Sequence, residues 1–302
     1  MYEQERSIPI LRSILFVPAI VERFVARAPD TGADVICLDI EDSVPPAEKA
    51  NARKLAARAI DSPSESGHPL LFVRVNGLPS GLLEDDLLAV VKPGLDGIVL
   101  SKTDSAETVR RAEHYLTILE REQGMAHGAV AIIPLIESAE AILSAKEIGA
   151  ASPRLVALSL GAEDLAADMG LRRSAGAREI EWPRAQLAMA AAANGLVAID
   201  TPEPDYKDLE HLERDSAFAR SVGFRGKYCI HPGQVDVVNR AFSPTAEEIT
   251  EARDVVRLLE KEGIGKGRAA IPVNGKMIDT PIYWQAKRLL AWAETAGIAA
   301  KE

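Results

Sequence analysis

Two carboxylates stand out by what precedes them. Glu137 ends the apolar run Ala131, Ile132, Ile133, Pro134, Leu135, Ile136, and Asp164 follows a second apolar run in "SLGAEDLA". A charge at the end of a strand buried on both faces is costly unless it sits at a site. With no His or Cys nearby, such a pair suits a hard cation. Mg2+ typically takes one or two carboxylates, several waters and the substrate's own oxygens. An α-keto or α-hydroxy acid offers two oxygens in chelating geometry. The plainer alternative is that Glu137 or Ser138 caps the next helix and that Asp164 is a separately solvated or capping acid.

Arg74, in "FVRVN", is an unusual residue for a buried strand. Its guanidinium could bind a carboxylate or stabilise a developing oxyanion. It could equally form a structural ion pair with Glu41 or Asp42, and those acids would then orient Arg74 and the waters on the metal. Arg12 precedes the first strand, while Lys49 and Arg53 lie four apart on one face of a helix. These basic groups could hold the phosphates of a large anionic cofactor, or form an ordinary solvated surface.

Positioning these residues requires a repeated unit. The chain alternates short apolar strands with amphipathic stretches; the strands are "SILFVPA", "VICLDIE", "LLFVRVN", "GIVLSK", "AIIPLIE", "RLVALSLG", "VAID" and "KYCIHP". Strands and helices alternating at this length imply βαβ units and a parallel sheet. Eight of them predict an α/β fold, a closed (β/α)8 TIM barrel, rather than an open doubly wound sheet, for which a G-x-G-x-x-G after the first strand is missing. The strand ends carry Asp39, Glu41, Asp42, Arg74, Asn76, Lys102, Glu137, Glu163, Asp164, Asp200 and His231. In a barrel these ends converge on the face where barrel enzymes keep their active sites.

Residues 1–235 are expected to form the catalytic barrel and 236–302 a C-terminal helical extension, either a lid or an inter-subunit arm. The extension begins with a helix capped by Thr245 and Glu248 in a capping box. A glycine-rich, loop-like stretch and a last helix, "YWQAKRLLAWAETAG", follow. The net charge of −10 argues against a nucleic-acid partner. Cys37 and Cys229 sit in apolar runs and read as reduced core residues of a cytoplasmic protein. No apolar stretch reaches the ~20 residues that span a bilayer, and the polar N-terminus does not read as a signal peptide.

The segments "RSILFVPA", "CLDIEDSVPPAEKANAR", "FVRVNG", "IIPLIESAEAI", "SLGAEDLAADMG", "GKYCIHPGQV" and "GKMIDTP" together resemble the citrate lyase β-subunit-like family, which includes malyl-CoA and citramalyl-CoA lyases. The resemblance runs from about residue 11 to 285. It implies a barrel with a C-terminal extension, a homotrimer or homohexamer, and a Mg2+-dependent lyase. The reaction implied is cleavage or formation of the carbon–carbon bond between an acyl-CoA and an α-keto acid. It implies Glu137 and Asp164 as metal ligands, Arg74 as the group that neutralises oxygen charge, and Arg12, Lys49 and Arg53 near the CoA phosphates. Asp279, in "GKMIDTP", would reach a neighbouring subunit's site and move a proton at the acetyl carbon. An aldolase acting on free keto acids and a non-catalytic acyl-thioester-binding subunit are the competing readings.

Overall fold

The computed structural model describes residues 9–62, 69–174, 176–263, 270–273 and 276–298. Eight strands form the barrel: β1 (Ser13–Pro18), β2 (Val35–Asp39), β3 (Leu70–Val75), β4 (Gly97–Leu100), β5 (Ala131–Ile136), β6 (Ala157–Leu160), β7 (Val197–Asp200) and β8 (Gly226–Cys229). Each pairs in parallel with the next, and β8 pairs with β1, so the sheet closes in sequence order. The expected (β/α)8 barrel is therefore the fold. Their apolar runs suit this position: β2, β4, β6 and β8 are buried at every residue. A parallel strand covered by helices outside and packed side chains inside has no face for polar alternation.

Glycine allows close approach at two barrel positions. A Cβ at Gly226 would lie 1.8 Å from the Leu11 carbonyl oxygen, and one at Gly97 would lie 2.4 Å from the Phe72 ring. Either would force neighbouring strands apart.

Not every strand-end charge faces the mouth of the barrel. Asp200, at the end of β7, receives Nε and Nη2 of Arg184 at 2.9 Å each and Nζ of Lys227 at 2.5 Å. Arg184 lies on the helix Glu181–Ala193, and both cations also reach Asp215 on the helix Leu209–Ser221. Alternate strand residues point to opposite faces, so this end turns Asp200 outward to the helical layer. Asp200 thus leaves the expected ring. His231 lies just before the helix Pro232–Phe242, its ring stacked on Tyr206 at 4.8 Å.

The barrel unit spans Leu11–Phe242, so it includes the helix Pro232–Phe242 after β8; residues from Ser243 onward belong to a second unit. In that unit the helix Ala246–Leu258 has the capping box, with Thr245 and Glu248 bonding each other's backbone N–H. The stretch expected to be a loop contains an antiparallel pair instead, β9 (Ala270–Val273) with β10 (Lys276–Asp279). Its residues 264–269 and 274–275 lie outside the described residues. Ile271 and Ile278 pack with Leu259 in a small core, so alternate apolar positions drive the pairing where glycine content suggested a loop. The last helix, Thr280–Thr295, starts earlier than expected and is capped by Asp279, whose Oδ1 accepts the Ile282 N–H at 3.4 Å. No helix among the described residues is long and apolar enough to cross a membrane.

The Arg184–Asp200–Asp215–Lys227 group is almost wholly buried, with Arg184 1% and Lys227 0% exposed. Lys227→Met removes one of its two cations and leaves two buried carboxylates on Arg184 alone. We expect a loss of about 3–5 kcal/mol, the usual cost of breaking a buried ion pair, read from the midpoint of chemical denaturation.

Candidate active site

Glu137 leaves β5 and Asp164 sits in the first turn of the helix Ala162–Asp168 after β6. The capping alternative resolves in favour of Ser138. Its Oγ accepts the Ala141 N–H at 3.1 Å and donates to Asp104 at 2.6 Å. Glu137 is therefore released from capping and aims at the barrel mouth. Its Oε1 accepts the Lys102 N–H at 2.6 Å. The loop after β5 is tied to Asp164's helix by the Ala139 N–H, which donates to Asp168 at 2.8 Å.

Glu137 is 5% exposed. Burial pushes its carboxyl up to about 8, and a bond with Asp164 adds to that, against the pull of Lys102. Asp164 is also subject to burial, but bonds from Lys102 and Glu137 hold it below the ordinary carboxylate range. Two carboxyl groups so close, one forced toward its neutral form, meet the requirement for a cation: a divalent ion would let both ionise. Among the described residues no group of three or more His, Cys, Asp or Glu is disposed as a ready-made metal cage. A two-carboxylate set completed by water and substrate oxygens is the arrangement Mg2+ favours.

Arg74 on β3 is braced by Asp39, its register partner on β2. Nε and Nη2 bond the two Asp39 oxygens at 2.8 and 2.5 Å. Asp39 also accepts the N–H groups of Glu41 at 2.9 Å and Ser43 at 3.2 Å, and so shapes the loop after β2. The main partner of Arg74 is thus Asp39, where sequence alone offered Glu41 or Asp42. Nη1 lies 3.5 Å from Glu41. The guanidinium rests over the Phe16 ring at 4.4 Å, which stacks on Tyr228 at 4.5 Å; the Tyr228 hydroxyl bonds Ser159 at 2.9 Å. This aromatic floor holds the guanidinium plane. Burial pushes the Glu41 carboxyl up to about 7, against Arg74, with Asp42 adding to the rise.

Lys102, one of the strand-end charges but with no role assignable from sequence, stands at the centre of these acids. Its Nζ bonds Asp164 and lies 3.8 Å from Glu137 and 3.9 Å from each of Glu41 and Asp42. Its backbone is left-handed, with φ of 51°, and Gly77 permits this turn: a Cβ there would meet the Lys102 Cβ at 2.7 Å. Only its place after β4 could have flagged it in the sequence.

The three basic residues expected near a phosphate do not converge. Arg12 precedes β1 at the N-terminal end of the barrel, opposite the Glu137 end, and bonds Asp34 through its backbone N–H and two guanidinium nitrogens at 2.7–2.9 Å. The Nζ of Lys49 donates to the carbonyls of Ile40 and Glu41 and to Asn76, at 2.7–3.0 Å. Arg53 bonds Asp86 at 2.6 Å, and Asp86 in turn receives the backbone and side-chain N–H groups of Asn76 at 2.8 and 2.6 Å. Lys49 and Arg53 therefore brace the loop carrying Glu41 and Asp42; helix spacing showed their common side but not these internal acceptors. Asp279 belongs to the second unit, where it caps the terminal helix.

Glu137 also depends on a glycine. A Cβ at Gly161 would stand 2.6 Å from the Glu137 Cβ and 2.7 Å from its Oε2. Gly161→Ala should displace that carboxylate while leaving the barrel folded. Calorimetric titration with Mg2+ should then show markedly weaker binding, and turnover should fall about 10²-fold, as for a misplaced reacting group.

Residues 12–232 match the HpcH/HpaI aldolase/citrate lyase family. The chain is 36% identical to the citrate lyase subunit beta of Leuconostoc mesenteroides subsp. cremoris over 282 residues, 93% of each protein. It is 33% identical to the L-malyl-CoA/beta-methylmalyl-CoA lyase of Cereibacter sphaeroides, covering 92% of this chain and 91% of that one. Among solved structures, CitE of Mycobacterium tuberculosis in complex with magnesium, acetoacetate and coenzyme A superposes with a TM-score of 0.74 at 30% identity, over 95% of this chain and 99% of that one. With a closed barrel, an acidic pair at the end of β5 and β6, and full-length similarity to named lyases, this chain belongs to the HpcH/HpaI aldolase/citrate lyase family and is a lyase.

Proposed function

We propose that the protein is a Mg2+-dependent carbon–carbon lyase acting on a β-hydroxyacyl-CoA such as malyl-CoA, citramalyl-CoA or citryl-CoA. The products are an α-keto acid and acetyl-CoA or a related acyl-CoA, and the reaction can run either way. The observation that carries this reading is the pairing of Glu137 with Asp164 beside an arginine whose orientation is set by Asp39. The names of the relatives support it: two are lyases of citrate or malyl-CoA, and the mycobacterial structure holds magnesium and coenzyme A.

In this reading Glu137 and Asp164 hold Mg2+, which supplies Lewis acidity and a template for a chelating keto acid. Arg74 stabilises oxygen charge as the Cα–Cβ bond breaks. Asp39 occupies its Nε and Nη2, which leaves Nη1 as the donor nearest to hand for a substrate oxygen. Glu41 and Asp42 border the site and orient the water near the metal, with Glu41 3.5 Å from Nη1 of Arg74. Lys49 and Arg53 serve this site as positioning residues through their loop. Asp279 of a neighbouring subunit moves the proton at the acyl α-carbon, so the active form is an oligomer, a homotrimer or homohexamer.

A second reading, the β-subunit of a larger citrate lyase, is favoured by the 36% identity to such a subunit. It would act only as part of a complex with other subunits. Incubation with Mg2+ and malyl-, citramalyl- or citryl-CoA, followed by identification of the keto acid released, decides between them. We expect one CoA ester to be cleaved; failure of the isolated, Mg2+-binding chain to cleave any of the three would favour the second reading.

Two further outcomes are expected. Glu137→Gln and Asp164→Asn should each abolish Mg2+-dependent turnover while retaining the fold by circular dichroism. Asp279→Ala should keep Mg2+ binding but lose about 10²- to 10⁴-fold in rate, the range for a lost general acid–base group. If Asp279 serves a neighbouring site, mixing that variant with inactive Arg74→Ala under subunit exchange should restore part of the activity. Mixed oligomers would contain sites with both residues intact.

A further inference from the structure

Lys102 has a chemical relationship to the acidic pair that the proposed reaction does not use. Its ammonium bonds Asp164 and lies within 3.9 Å of Glu137, Glu41 and Asp42. A divalent ion held by Glu137 and Asp164 would need the same Asp164 oxygens and the same negative field. Two cations cannot share that position without strong repulsion. The backbone is committed to the arrangement: Lys102 is one of two described non-glycine residues with positive φ, a conformation that side-chain-bearing residues rarely adopt. Such strain persists only where surrounding structure enforces it. Here it is enforced by the Thr103 N–H to the Leu135 carbonyl at 3.3 Å, by the Lys102 N–H to Glu137, and by the absence of a Cβ at Gly77.

Resting on the reading of Glu137 and Asp164 as metal ligands, we infer that Lys102 is a tethered cation that occupies the acidic site in the metal-free protein and must be displaced for Mg2+ to bind. The ammonium neutralises part of the repulsion among acids drawn from the loops after β2, β5 and β6. It therefore stabilises the metal-free fold and weakens metal binding. These two effects have opposite signs, which separates this role from a merely structural one. Loss of a structural lysine would lower both stability and metal affinity.

The test compares the full chain with Lys102→Met and with Lys102→Gly, the latter compatible with the left-handed backbone should the methionine variant fold poorly. Calorimetric titration with Mg2+ alone should show about 10- to 100-fold tighter binding in either variant. Without metal, the thermal midpoint of each variant should fall by a few degrees, and added Mg2+ should raise it further than it raises the wild type. Lys102→Arg, which keeps the charge, should stay near the wild-type affinity. If wild type binds Mg2+ and the folded variants bind it equally or more weakly, the tethered-cation role is wrong while the metal assignment stands. If neither the wild type nor the variants bind Mg2+, both fail.

Discussion

Mutual repulsion among carboxylates is the constraint around which the mouth of this barrel is arranged. Asp39, Glu41, Asp42, Glu137 and Asp164 meet there, with Arg74 and Lys102 as the cations nearest to them. Burial makes the problem worse, because it disfavours each negative charge separately. The result is visible in Glu137 and Glu41, pushed to about 8 and about 7, while Asp164 stays ionised. A site in this condition gains more from a hard cation than an exposed pair of acids would.

Keeping the acids in place takes a second layer of polar contacts. Asp39 spends both oxygens on Arg74 and also receives two backbone N–H groups of the following loop. That loop is pinned from the other side by Lys49, which is joined through Asn76 and Asp86 to Arg53. Buried polar groups are tolerable when paired, and this network, in which Nη2 of Arg53 is left without a hydrogen bond, favours one geometry. Groups held this rigidly need no reorganisation when charge moves during reaction, which is how a preorganised site lowers a barrier.

The two ionic systems of the barrel illustrate how location separates structure from chemistry. Arg184, Asp200, Asp215 and Lys227 balance two positive with two negative groups between β7, β8 and the outer helices, nearly closed to solvent. The mouth is unbalanced and partly open, with Asp164 41% and Lys102 36% exposed. A balanced, dry cluster holds elements together. An excess of acid reachable from water is available to a metal and a substrate.

The sequence alone determined the barrel. Eight apolar runs at βαβ spacing bury continuous strands that pair in order, and the sheet closes where β8 pairs with β1. Glu137, Asp164 and Arg74 were legible because a charge beside such a run conflicts with burial. Three matters were decided only by tertiary structure. Asp200 ends a strand like the others, yet the side to which a strand's last residue points depends on register, and it faces the helices. Arg12, Lys49 and Arg53 carry the charge a phosphate needs, but their acceptors, Asp34, Ile40, Asn76 and Asp86, come from other elements that only folding brings within 3 Å. Lys102 had no sequence signal beyond its place after β4. Its role arises from acids contributed by three other loops and from a left-handed turn made possible by Gly77, and distances between segments far apart in the chain are set by packing, not by spacing along it.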